Sequence, residues 1–460
     1  MVTGSYMPMH GLYPGRLLFI SSAPTTFFFI FSMEIFAALL PFVKVFIAFV
    51  IMLAGMRYKI GLAASIVLGG VFMGLVFGMG PVAIGETGLL ALTREKFLQL
   101  ISIVGLIMIL SDALERSGQS RRLMDSLSGY LTSPRLRLIF FPALIGLLPM
   151  PGGAIFSAPM VKTMGEEIKL KAEDQALINY WFRHVWETAW PLYPGVILTV
   201  ALAGIPIGSF ISKTWPGIFA MFAFGWFFLL RKLNLEVVER ISPAGTMRRS
   251  PANVLREGLP LLIAIVGAVG GEAVLAGFAP QIPFEFGVIG ALAVAAVAVM
   301  VQNRLGLGFL RQVLGKRRLW AMLLVVGAIF IFKDIMTSAG TVEEMAGAAG
   351  KGAALFAAAF FLPFLVGMVA GINVAFVGAT FPLLLGLLHG LGMEAQIIPY
   401  LVVATFAGFT GVMISPIHIC FVLTCNYFGT DLNRTWRRLV APCCCFAATG
   451  VALFFLLSAC

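Results

Sequence analysis

Charged side chains make up only 12% of this 460-residue sequence, with 21 Asp and Glu against 32 Lys and Arg. An ordinary soluble domain carries about 25%. So few ions cannot clothe a chain of this size in water, and a soluble globular fold is excluded. Histidine is scarcer still, four in all: His10, His184, His389 and His418. The six cysteines are Cys420, Cys425, the run Cys443, Cys444 and Cys445, and Cys460, with no CxxC pair and no His at a ligand spacing. They read as small apolar helix residues, and neither a metal site nor a cofactor is expected. No GxxxxGK[ST] loop, HExxH or GxSxG segment occurs. That argues against direct ATP driving and against the commoner hydrolytic mechanisms, so an enzyme is not the expected function.

What is abundant is apolar: 60% of residues fall in the set AVILMFWYC, and the mean hydropathy is +0.98. Lipid must be most of this chain's solvent. A crossing helix needs about 20 mostly apolar residues. Ten stretches qualify: 35–55, 60–79, 96–113, 183–203, 215–230, 258–277, 286–301, 319–337, 397–424 and 439–459. Two more, 138–161 and 353–388, are interrupted by Pro and Gly near their middles. Residues 1–32 carry only Arg16 as a formal charge. They form an N-terminal extension, either signal-like or upstream of a natural start at Met33.

The net charge of +11 reports topology. Suppose the first span runs outside to inside and both interrupted stretches are re-entrant hairpins. The basic clusters at 116–137, 231–256, 304–318 and 434–438 then all face the cytoplasm, leaving Arg94, Lys213 and Lys351 outside. Twelve plain spans would put 231–256 and 304–318 outside, against the positive-inside rule. The expected fold is therefore all-α and polytopic, with about 10 transmembrane helices plus two re-entrant hairpins, in the cytoplasmic (inner) membrane. Basic charge explained by topology gives no reason to expect nucleic acid as a partner.

The two hairpins resemble each other, since Phe140–Gly146 and Phe361–Gly367 share F-x-P-x-L-x-G. The spans before them end alike, with Asp112 and Asp334 at corresponding positions. Five spans per half is an odd number, so the second half must be inserted upside down. The expected organisation is two inverted-topology repeats: residues 33–257 with hairpin 138–161, and 258–460 with hairpin 353–388. Their tips should meet near the midplane.

Four helix breaks are visible. They are the first tip at 149–153, the second at 370–373, the end of a half-helix 179–190 at 191–195, and the ninth span around 408–411 and 415–416. Each break starts a half-helix whose free N–H groups favour an anion, while freed carbonyls can hold Na⁺. Candidate substrate- or ion-binding residues are therefore Pro151, Gly152, Gly153, Ser157, Gly371, Asn373, Thr380, Thr410, Ser415 and His418. A charge at membrane depth costs about 2.5–3.5 kcal/mol on insertion scales. That singles out Lys44, Asp112, Arg183, His184, Glu187 and Asp334 for coupling or gating. The plainer alternatives are an ion pair for Lys44, helix-end capping for Asp112 and Asp334, and snorkelling to the cytoplasmic interface for Arg183.

The runs Leu147–Ala154, Asn179–Glu187, Trp190–Gly195 and Ser415–His418 resemble the signature segments of an uncharacterised prokaryotic membrane family. It is a domain of unknown function (number 401) placed in the ion transporter superfamily, beside gluconate and other carboxylate permeases. The resemblance runs from about residue 33 to the C-terminus. It implies a secondary active transporter with paired re-entrant hairpins that moves a small organic anion with Na⁺ or H⁺. It further implies a homodimer with an elevator-like transport domain. The Ser-Asn-Thr tips of the sodium-carboxylate branch are not kept, because the first tip has Pro151, Gly152 and Gly153 and the second only Asn373. A channel or passive anion exporter, and an intramembrane enzyme, are the other classes open at this point.

Overall fold

The computed structural model describes residues 23–128, 130–131, 133–147, 153–233, 250–279, 281–283, 285–348 and 352–459. Residues 1–22, the expected tip residues Pro151 and Gly152, and Lys351 lie outside the described residues. Among those described, every regular element is a helix.

The first half runs through α1 (Ala23–Arg57), α2 (Leu62–Val76), α3 (Pro81–Ala91), α4 (Glu95–Arg116) and the short α5 (Gln119–Ser128) to a pair, α6 (Pro134–Gly146) and α7 (Ala154–Glu167). Turns separate α8 (Ala172–Arg183) from α9 (Pro194–Ala203), and α10 (Ile207–Thr214) and α11 (Pro216–Phe224) lead into a π-helical segment, Gly225–Leu230. The second half follows the same order. It has α12 (Pro251–Phe278), α13 (Glu285–Gln302), the short α14 (Leu307–Leu314), α15 (Arg317–Ser338) and the short α16 (Thr341–Ala348). A pair, α17 (Ala353–Ala370) and α18 (Asn373–Gly390), precedes a broken helix, α19 (Ile397–Met413) and α20 (Ile419–Phe428), and α21 (Leu432–Ser458) ends the chain's helices.

Ten helices among the described residues are long and apolar enough to cross a membrane, so the protein is an all-α polytopic membrane protein. Large apolar side chains such as Phe46, Val266, Val301 and Phe455 are exposed on α1, α12, α13 and α21, as lipid-facing surfaces require. The ten differ in part from those expected. Stretches 60–79 and 183–203 yield only α2, with 15 residues, and α9, with 10. At 1.5 Å per residue these reach roughly 22 and 15 Å. The two arms of 353–388 qualify instead, at 18 residues each. By contrast α6 and α7 have 13 and 14 residues, roughly 20 Å apiece against a hydrocarbon core of about 30 Å.

Contacts between the halves come in exchanged pairs. Helix α2 lies on α15 and α13 on α4; α1 touches α16 and α12 touches α5; α7 packs on α20 and α18 on α9. Helices α4 and α15 also pack directly and are clamped at both ends. Lys316, the N-cap of α15, donates to Asp112 of α4, and Arg94, the N-cap of α4, donates to Asp334 of α15 at 2.5 Å. The same position on each helix thus grips the same acid on the other, which makes the pair antiparallel.

The interior belongs to α18 and α19. Lipid-immersed helices associate through close packing rather than through expulsion of water, and small residues let backbones approach. A Cβ at Gly367 would strike the Gly408 carbonyl, and one at Gly411 the Phe364 carbonyl. The break expected at 408–411 is therefore absent. Helix α19 continues to Met413, and its glycines serve the approach of α17.

Candidate functional site

Helix α8 stops at Arg183, not at Trp190 as expected. Gly146, at the end of α6, lies so close to the Arg183 carbonyl that a Cβ would overlap it. From there the chain tightens into i→i+3 turns, with His184 N–H on Trp181 O, Glu187 N–H on His184 O and Ala189 N–H on Trp186 O. Trp186 Nε1 donates to Ala143 O at 2.6 Å and anchors the turns to α6. Helix α9 then begins on Pro194, whose missing N–H is no loss at a first helical position.

These turns bury charge. Arg183 is only 2% exposed, so it is enclosed by protein rather than extended to an interface. Its Nη1 donates to Tyr193 Oη at 2.9 Å and lies 3.5 Å from Glu187 Oε1, while Tyr193 Oη donates to Gly146 O at 2.6 Å. Glu187 Oε2 accepts from Asn373 Nδ2 at 2.8 Å. Asn373 is the first residue of α18, reached through Gly371, which closes α17 at φ +67°. A Cβ on Gly195 would sit 3.1 Å from Asn373 Cβ, and one on Gly371 would sit 3.1 Å from Ser415 Oγ and 3.2 Å from His418 Cα. The starts of α9, α18 and α20 therefore meet at one place, each bringing the partial positive charge of a helix N-terminus.

A cavity about the size of one water lies among Glu187, Thr188, Gly195, Asn373 and Thr405. Thr188 Oγ1, Thr405 Oγ1 and Asn373 Oδ1 are buried there without a hydrogen-bond partner, as is Ser415 Oγ in the 414–418 break. Such orphans are rare in folded proteins and cost about 1–3 kcal/mol each, so a cluster of them marks a place for a polar ligand. His184 and His418 stand beside this centre with ring centroids 4.9 Å apart, and Tyr180 packs on both.

The remaining candidates lie apart from this centre or play other roles. Gly153 caps α7, and Ser157 Oγ donates to Asn179 Oδ1 at 2.6 Å. Asn179 Nδ2 in turn donates to Ala154 O at 2.9 Å and reaches Thr424 Oγ1 at 3.4 Å, tying α7, α8 and α20 together. Thr380 and Thr410 return their hydroxyls to Phe376 O and Phe406 O within their own helices. Lys44 pairs with Glu344 at 3.2 Å and lies over the Phe77 ring. Asp112 and Asp334 hold the α4–α15 clamp. Sequence reasoning passed over Thr188, Tyr193, Thr405, Asn179 and Cys420. Tyr193 had a signal, lying between the two prolines that break the helix, whereas a lone Thr or Asn in an apolar stretch has none.

A family model described as "Protein of unknown function (DUF401)" matches residues 38–457. No curated protein matches the chain.

Proposed function

The chain belongs to the DUF401 family, and we propose that it is a secondary active transporter carrying a small organic anion, such as a carboxylate, coupled to H⁺ or Na⁺. The observation behind this is the meeting of three helix starts on a buried Arg183–Glu187 pair, beside the unpartnered oxygens of Thr188, Asn373 and Thr405. Helix N-termini and a guanidinium together suit a carboxylate. In this conformation Glu187 fills the anion's place, bonded to Asn373. An arriving carboxylate competes with it for Arg183 and Asn373, and a proton on Glu187 releases both. That exchange couples substrate binding to H⁺. The hydroxyl and amide oxygens around the cavity offer Na⁺ an alternative seat.

The ion pairs support returning hairpins. Lys316 on Asp112 puts residues 112 and 316 on the same side of the membrane, so the chain crosses an even number of times between them. If the α8–α9 and α10–α11 segments, α12 and α13 each cross once, they form an even set, which supports an α6–α7 pair that returns to the side it left. Arg438 on Asp174 at 2.6 Å supports the same reading for α17–α18. With the exchanged helix contacts, this favours two inverted repeats over residues 33–257 and 258–460, and alternating access about the point where they meet.

The test is uptake of radiolabelled organic acids into proteoliposomes under imposed pH or Na⁺ gradients, with candidates chosen by thermal shift. Saturable uptake that follows the gradient and is lost in Arg183→Gln supports the proposal. Flux that neither saturates nor responds to a gradient would overturn it in favour of a channel.

A further inference from the structure

His184, His418 and Cys420 carry a second chemistry at the edge of this centre. His184 lies in the turn after α8, His418 is the N-cap of α20, and Cys420 is that helix's second residue. They are 1%, 5% and 4% exposed, and one ligand atom from each lies within 4.8 Å of the others. His184 Nδ1 is 2.6 Å from Tyr180 O, and His418 Nδ1 is 3.1 Å from Val412 O. A backbone carbonyl only accepts, so each Nδ1 must carry the proton and each Nε2 presents its lone pair. His184 Nε2 is buried with no nitrogen or oxygen partner. Aromatic packing accounts for the ring positions, and the group that faces that lone pair is the Cys420 thiol, whose proton a thiophilic cation would replace. An imidazole that gives its Nδ1–H to a backbone carbonyl and keeps Nε2 free has the orientation and tautomer of a metal ligand.

We propose that His184, His418 and Cys420 form a binding site for a thiophilic d-block cation of the Zn²⁺ class. A buried thiol with two imidazoles suits Zn²⁺ and its neighbours and not Mg²⁺ or Ca²⁺, which take oxygen ligands. Glu187, with Oε1 3.8 Å from His184 Nε2, is a carboxylate at hand for a fourth bond. Zinc bonds of about 2.0–2.3 Å place neighbouring ligand atoms roughly 3.4–3.8 Å apart, so the three close by about 1 Å on binding. The thiol proton leaves as the metal–sulfur bond forms. A dication with one thiolate therefore adds a single positive charge beside Arg183. This site stands on its own geometry and does not depend on the transport reading.

The experiment titrates the purified, chelator-stripped full chain in detergent with Zn²⁺, and with Co²⁺ as a spectroscopic probe. One equivalent per chain is expected, with a thiolate-to-cobalt charge-transfer band and the strong visible absorption of a four-coordinate ion. Cys420→Ser removes the charge-transfer band, His418→Gln weakens binding by about tenfold or more, and Cys425→Ser and Cys443→Ala leave the spectrum unchanged. A wild-type protein without the band overturns the site, as does a band that survives Cys420→Ser. If Cys420→Ser does not fold, the wild-type spectrum and the weakened binding of folded His418→Gln decide.

Discussion

Replacing Glu187 by Ala strips the buried Arg183 of the carboxylate 3.5 Å away and leaves Asn373 Nδ2 without the acceptor it holds at 2.8 Å. Arg183 is 2% exposed and Glu187 11%, so bulk water has little access to the vacated place. At that separation the Coulomb attraction is about 5 kcal/mol for an effective dielectric constant near 20. Removing one partner of a buried pair typically costs about 3–5 kcal/mol. Both routes predict a loss of that size in Glu187→Ala. Glu187→Gln keeps an acceptor for Asn373 and should recover about 1 kcal/mol of it, the worth of one hydrogen bond. Arg183→Met should cost less than Glu187→Ala, because the stranded carboxyl can take up a proton whereas a stranded guanidinium stays charged. Reversible unfolding in mixed micelles, monitored by circular dichroism, gives the three values. A loss below about 1 kcal/mol in Glu187→Ala would mean that Arg183 is as weakly coupled as a surface ion, and the buried site would have to be abandoned.

Gly371→Ala must adopt φ +67° with its Cβ 3.1 Å from Ser415 Oγ, whereas Gly204→Ala must adopt φ +65° in open space. Both should pay about 1–2 kcal/mol for the left-handed backbone, and only Gly371→Ala should lose more, by thermal unfolding; equal losses would mean the hairpin tip is not packed on the 414–418 break. Exchanging the charges of the α4–α15 clamp tests the antiparallel pairing. Asp112→Lys and Lys316→Asp should each destabilise, and the double variant should recover about 0.5–1 kcal/mol, since Lys316 is partly exposed. A double variant no better than the sum of the singles counts against the contact.

Stretches such as 96–113 and 319–337 were legible because twenty apolar residues in lipid leave the backbone no alternative to a helix. The ends of broken helices were not. At the stop after Arg183, Gly146 of another helix lies against the Arg183 carbonyl, a contact that no local pattern carries. Glycine itself is ambiguous. At Gly371 the missing side chain permits a left-handed backbone, and at Gly408 and Gly411 it admits a neighbouring helix. Arg183 and Glu187 stood out because a charge among apolar residues demands a partner, and Asn373 because it lies at an expected helix break. Thr188 and Thr405 did not, since a helical threonine usually bonds its own backbone, as Thr380 and Thr410 do. His184 and Cys420 lie far apart in the chain, so spacing gave no hint that the fold joins them.

The most direct test of a shared central site is the accessibility of Thr188→Cys in a chain whose native cysteines are replaced, using a membrane-impermeant thiol reagent on sealed vesicles of both orientations. Alternating access predicts labelling from either side, with the favoured side changed by the ion gradient and the reaction slowed by substrate. Labelling from one side alone, whatever the gradient, would contradict it.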